Sequence, residues 1–114
     1  MTIKRLNPGP RLSGAVVHGD TVYIAGQVSG DAPTVKGQTQ AILKKFDELL
    51  AAAGSHKSKL LSANVYLANM SGYDEMNAAW EAWVDPNNTP ARATVEAKLA
   101  APKYLVEIMG IAAI

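Results

Sequence analysis

The chain has 114 residues, 48% apolar and 18% charged, with a formal net charge of +1 and no cysteine. That composition fits one globular domain over 1–114, able to bury a core without staples; it excludes a disulfide framework, a thiolate nucleophile and any cysteine-ligated metal. The near-neutral balance supplies no field for nucleic acid or an anionic membrane, no apolar run approaches the ~18 residues of a span, and the opening MTIKRLNPGPR lacks a secretory h-region, so a cytoplasmic setting is expected.

In chain order, Asn7-Pro8-Gly9-Pro10 reads as a turn or arm, because two prolines remove two backbone donors. The run RLSGAVVHGDTVYIAGQVS predicts two strands about His18-Gly19-Asp20, with Val22, Ile24 and Val28 on one face of the second. From 37 to 53 the apolar period becomes helical: Ile42, Phe46, Leu49, Leu50 and Ala53 form a stripe, and Gly54 supplies the stop. LLSANVYLA, 60–68, alternates again, with Leu61, Ala63, Val65 and Leu67 on one side. Ser71 with Asp74 resembles a capping pair ahead of a second helix, whose stripe is Tyr73, Met76, Trp80, Trp83 and Val84. Asp85-Pro86-Asn87-Asn88 ends it, and strands over 92–99 and 104–114 follow, joined by a short turn at Ala101-Pro102.

The order β-β-α-β-α-β-β predicts an α+β sandwich with two helices on one face of a sheet. The last strand, YLVEIMGIAAI, is apolar on both faces, as strands covered on both sides are. Two helices cover only one side, so a further copy of the chain is the expected second cover.

Two charges sit oddly in this pattern. Glu107 lies between Val106 and Ile108, where a carboxylate needs a partner, a proton or a sheet edge. Arg92 opens an alternating strand on which Thr94, Glu96 and Lys98 share its face, so it is either a solvated charge or aimed at something that needs a planar cation. If the last two strands form a hairpin with Leu99 opposite Tyr104, Arg92 and Glu107 share a face but stand roughly 13 Å apart, too far for an ion pair within one chain. A pocket between subunits could still use both. Gly26, at the end of the second strand, either marks a bulge or lets backbone approach a ligand. His18 and His56 have no second ligand at metal spacing, and Trp80 and Trp83 read as core or interface.

These residues resemble the Rid family, also called YjgF or reactive-intermediate deaminases. The resemblance spans almost the whole chain: Gly9-Pro10, AGQVS at 25–29, the helix ending LLAAAG, SANVYLANM, MNAAWEAW, and PARATVEA followed by VEIMGIAA. Its most specific part is Pro-Ala-Arg with a glutamate 15 residues after the arginine, in an apolar strand. The resemblance implies a chorismate-mutase-like (bacillus type) sandwich on a mixed sheet, assembled as a homotrimer with ligand clefts between subunits. It implies hydrolysis of reactive enamines and imines, such as 2-aminoacrylate and 2-imino acids, to 2-oxo acids and ammonia, without metal or cofactor.

Carried over position by position, Arg92 matches the arginine that holds the substrate carboxylate, and Glu107 the glutamate beside the attacking water. Gly26 matches a backbone position lining the cleft, and Asn77 a supporting or cleft-lining asparagine. Thr94 stands where the best-known members have cysteine, so thiol chemistry cannot regulate the site. Arg11 stands where many members have a cleft tyrosine; a cation there accepts a second acidic group on the substrate, pairs with Glu107 or points to solvent, which leaves the substrate range open. Two alternatives remain: a deaminase dedicated to an aminoacrylate- or aminomuconate-like catabolite, and a non-catalytic module that senses small carboxylates. Family members have also been linked to RNA cleavage, but with this charge nucleic acid is not an expected partner.

Overall fold

The first strand is one that the prolines concealed. In a computed structural model describing residues 1–114, Ile3–Pro8 (β1) pairs antiparallel with Ser13–His18 (β2). The expected N-terminal arm is therefore a sixth strand, and the order is β-β-β-α-β-α-β-β. Pro8 is tolerated because it ends a strand at the sheet's outer edge, where a missing donor breaks no ladder. Asn7 takes a left-handed φ of 49°, which asparagine accepts, and the turn closes with the Gly9 N–H donating to Leu12 O at 2.8 Å.

The chain then reverses over Gly19-Asp20 into Thr21–Gln27 (β3), as the sequence predicts, with Gly19 at φ 63°. The first helix, Val35–Ala52 (α1), begins two residues before Gly37 because Thr34 caps it: Thr34 Oγ1 accepts from the Gly37 N–H at 3.0 Å. It ends as expected at Gly54, φ 80°, where the Gly54 and Ser55 N–H groups reach back to Ala51 O and Leu50 O at 3.1 and 2.8 Å. Leu60–Leu67 (β4) follows, then Tyr73–Trp83 (α2). Ser71 does not cap α2 as expected; it lies in the 3-10 turn Met70–Gly72, which Asn69 caps by accepting from the Ser71 N–H at 2.9 Å. Two shorter strands close the chain, Ala91–Glu96 (β5) and Val106–Ala113 (β6). No helix is long and apolar enough to cross a membrane.

The six strands lie in the order β1-β2-β3-β6-β4-β5, a mixed sheet in which β4 and β5 run parallel. The expected hairpin between the last two strands does not form. β6 enters the middle, antiparallel to both β3 and β4, while β5 takes the far edge. Composition decides this: β6 is apolar on both faces and gains most from a central position, whereas β5 carries Arg92, Thr94 and Glu96. The helix between β4 and β5 makes a crossover, which is how parallel neighbours are joined.

Both helices pack on one face. There Ile42, Phe46, Leu50, Met76 and Trp80 meet Ile24, Val65 and Ile108 from the sheet. The apolar pattern places Leu61 and Tyr73 on buried faces, but they are 54% and 41% exposed; a register shift between Leu60 and Ser62 turns Leu60 inward instead. The other face of the sheet carries Tyr23 and Val95, each 47% exposed, with Met109 and Ile111 half-buried between them.

Candidate functional site

Arg92 is the second residue of β5, in register with Ala63, whose β6 partner is Gly110. Ala63 is buried on the helix side, so Arg92 points toward α2. Its guanidinium donates to Met76 Sδ at 3.7 Å and lies 5.2 Å from the centroid of the Trp80 ring. No carboxylate pairs with it. Two residues along the same face, Thr94 Oγ1 is buried and has no hydrogen-bond partner. A half-buried cation without a counterion, beside a hydroxyl without a partner, is an arrangement with unused capacity for an anion.

Glu107 lies elsewhere. It stands opposite Tyr66 in the β4–β6 ladder, so its side chain leaves the sheet on the face away from the helices. Arg92 and Glu107 therefore occupy opposite faces of one chain and not the shared face that the hairpin had suggested. The physical reason is the parity of the true register, with β4 interposed between their strands.

Gly26 belongs to the Glu107 side, and it marks a bulge. Between Ile24 and Gln27 the β3–β6 register slips, which is a bulge. A Cβ on Gly26 would run into the Glu107 carboxylate and come within 3.0 Å of its Cδ. Its φ is not positive, so the bar to a side chain is Glu107 itself and not backbone strain. The backbone of Gly26 also lines a groove of about 470 Å³ with Asn7, Leu12, Gln27 and Lys45.

Arg11 lies exposed in the β1–β2 turn, beside an open hollow shared with Asn7 and Leu12, near the sheet edge opposite Arg92. Asn77 is half-buried on α2, next to Met76. A further hollow of about 500 Å³ under the β5–β6 connection holds neither Arg92 nor Glu107. The molecule thus brings together Arg92 with Thr94, and Glu107 with Gly26, but not the two pairs. Met76 and Trp80, which read as core from helical spacing alone, turn out to seat Arg92.

A family model described as Endoribonuclease L-PSP matches residues 2–114. A RutC family protein from Haemophilus ducreyi is 46% identical over 98% of this chain and 97% of its own length. The RutC family protein YoaB of Escherichia coli is 40% identical over the full length of both. The chain belongs to the Rid/YjgF family. Its fold agrees: the crystal structure of a YjgF family member from Neisseria meningitidis superposes with a TM-score of 0.97 at 42% identity, covering 99% of this chain and 95% of that one.

Proposed function

We propose that this Rid/YjgF protein hydrolyses reactive 2-imino acids and their enamine tautomers, 2-aminoacrylate among them, to 2-oxo acids and ammonia. The observation that carries the reading is Arg92, held in place by neutral groups with its charge unanswered. A guanidinium offers a planar fork to a carboxylate, and in a water-poor cleft such a pair fixes orientation as well as charge. The free Thr94 hydroxyl supplies a further donor on the same face. With the carboxylate anchored, water adds to C2 of the iminium to form a carbinolamine. Glu107 orients that water and takes its proton, returns it to nitrogen, and then accepts the carbinolamine hydroxyl proton as the C–N bond breaks, so that the 2-oxo acid forms and ammonia leaves. A protonated imine is already electrophilic, so positioning supplies much of what the reaction needs.

Because Arg92 and Glu107 leave one sheet on opposite faces, the working site joins the Arg92 half of one protomer to the Glu107 half of another. The exposed apolar sheet face around Tyr23, Met109 and Val95 supports such an assembly, a homotrimer by family resemblance. Gly26 and Asn77 take positioning roles, while Arg11 bears on substrate range.

The test generates 2-iminopropionate or 2-iminobutyrate in situ with an amino-acid oxidase and follows imine loss with and without the protein. Wild type accelerates hydrolysis, and Arg92→Ala abolishes the acceleration at low substrate. No acceleration by wild type, or full activity in Arg92→Ala, sinks the reading. Carboxylate binding without turnover would instead identify a sensing module.

A further inference from the structure

Arginine at a sheet edge is a long, flexible side chain, and stabilising it normally falls to an acidic neighbour. Here the neighbours are a thioether and an indole. Met76 is fully buried and Trp80 only 6% exposed, so both are fixed features of the core surface against which the guanidinium rests. Trp80 is itself locked: its ring meets Trp83 at 5.6 Å with a 54° tilt, and Trp83 meets Phe46 edge-on at 6.3 Å. The Trp83 indole N–H donates to both Asp47 oxygens at 3.1 Å, and Lys57 Nζ caps Trp83 O at 2.6 Å. A continuous set of contacts therefore runs from α1 through α2 to the Arg92 guanidinium.

From this geometry we infer that Trp80, assisted by Met76, is a positioning residue that presents the Arg92 guanidinium to a ligand carboxylate. The inference rests on Arg92 binding a carboxylate, as proposed above. An aromatic face holds a guanidinium by its plane and leaves its edge N–H groups free, whereas an acidic partner would occupy them. The thioether is a weak acceptor that a carboxylate oxygen displaces without difficulty. Neither group neutralises the charge. The cation is thus oriented in advance, and the rotamer entropy that a free arginine would lose on binding is largely removed.

The test measures binding of pyruvate, the product-like carboxylate, by calorimetry, alongside imine turnover. Trp80→Phe keeps an aromatic face and is expected to bind within about twofold of wild type. Trp80→Leu keeps apolar volume but no ring, and is expected to weaken pyruvate binding and raise KM about tenfold with kcat little changed, as lost pre-orientation requires. Should Trp80→Leu not fold, Met76→Leu removes the sulfur at nearly constant volume and is expected to weaken binding about two- to fivefold. In a Trp83→Phe background, pyruvate is expected to change Trp80 fluorescence as the cation on its ring is engaged. Wild-type affinity in both leucine variants overturns the inference, as does equal loss in Trp80→Phe and Trp80→Leu, which would mean that packing alone matters. Absence of pyruvate binding by wild type removes the carboxylate reading itself, and the inference with it.

Discussion

At the scale of single residues, the informative feature is what answers each charge. Neither is neutralised: Arg92 rests against Met76 and Trp80, and the Glu107 carboxylate occupies the space that a Cβ on Gly26 would fill. The Gly26 contact makes a sharp prediction. In Gly26→Ala the backbone conformation tolerates the methyl, so stability should change by less than about 1 kcal/mol. The methyl displaces the Glu107 carboxylate, and kcat for imine hydrolysis should fall by at least about tenfold. Unchanged kcat with a folded protein would separate Glu107's present position from the chemistry. Glu107→Gln keeps the shape and removes the base, so turnover should drop while pyruvate affinity holds; equal loss of both would assign Glu107 a structural role. Arg92 and Glu107 were both legible as anomalies in the sequence. Their orientation was not, because which face a residue takes depends on pairing partners that the local pattern does not contain.

At the scale of elements, one buried side chain governs how β6 enters the sheet. Gln38, on the first turns of α1 and 1% exposed, donates to Ala32 O and Lys103 O at 3.0 and 2.8 Å and accepts from the Leu105 N–H at 2.9 Å. It ties two connections to the helix just before Val106 starts β6, and so helps to set the register that places Glu107. Gln38→Leu leaves those backbone groups short of partners and should cost about 1–3 kcal/mol in denaturant unfolding. A loss near zero would show that water replaces the amide. On the far side of α2, Asp85 accepts from the Asn87 N–H and the Asn88 amide at 2.9 and 3.1 Å, which holds its carboxyl below the usual range and shapes the turn into β5. Element existence was readable from period and punctuation. β1 was missed because Pro8 and Pro10 argue against a strand unless its edge position is known, and Gln38 carried no signal because a polar residue near a helix start looks solvated.

At the scale of the whole molecule, the helices protect one face of the sheet and leave the other open, with an apolar area around Tyr23, Met109 and Ile111. Tyr23 and Val95 are each 47% exposed there, flanking Met109 and Ile111. Exposed apolar area of this kind favours association, and the proposed shared site requires a further copy to bring an Arg92 half to a Glu107 half. Light scattering should therefore give a multiple of the 12.1 kDa chain mass. Met109→Glu, a charge in the middle of that face, should shift the protein toward monomer and abolish turnover together. Full activity in a monomeric variant would refute the shared site.

Sequence by itself determined the α+β class, both helices, most of the strands, the family and the two charges, Arg92 and Glu107, that stand out from the pattern. Those features are written in local period, in glycine and proline punctuation and in motif spacing, all of which act within a few residues. Only the tertiary structure decided that β4, and not β6, lies beside β5, and hence that Arg92 faces Trp80 while Glu107 faces Gly26 across the sheet. Strand order is fixed by competition for burial among segments far apart in the chain: β6, apolar on both faces, takes the centre and leaves the edge to the strand that carries the arginine.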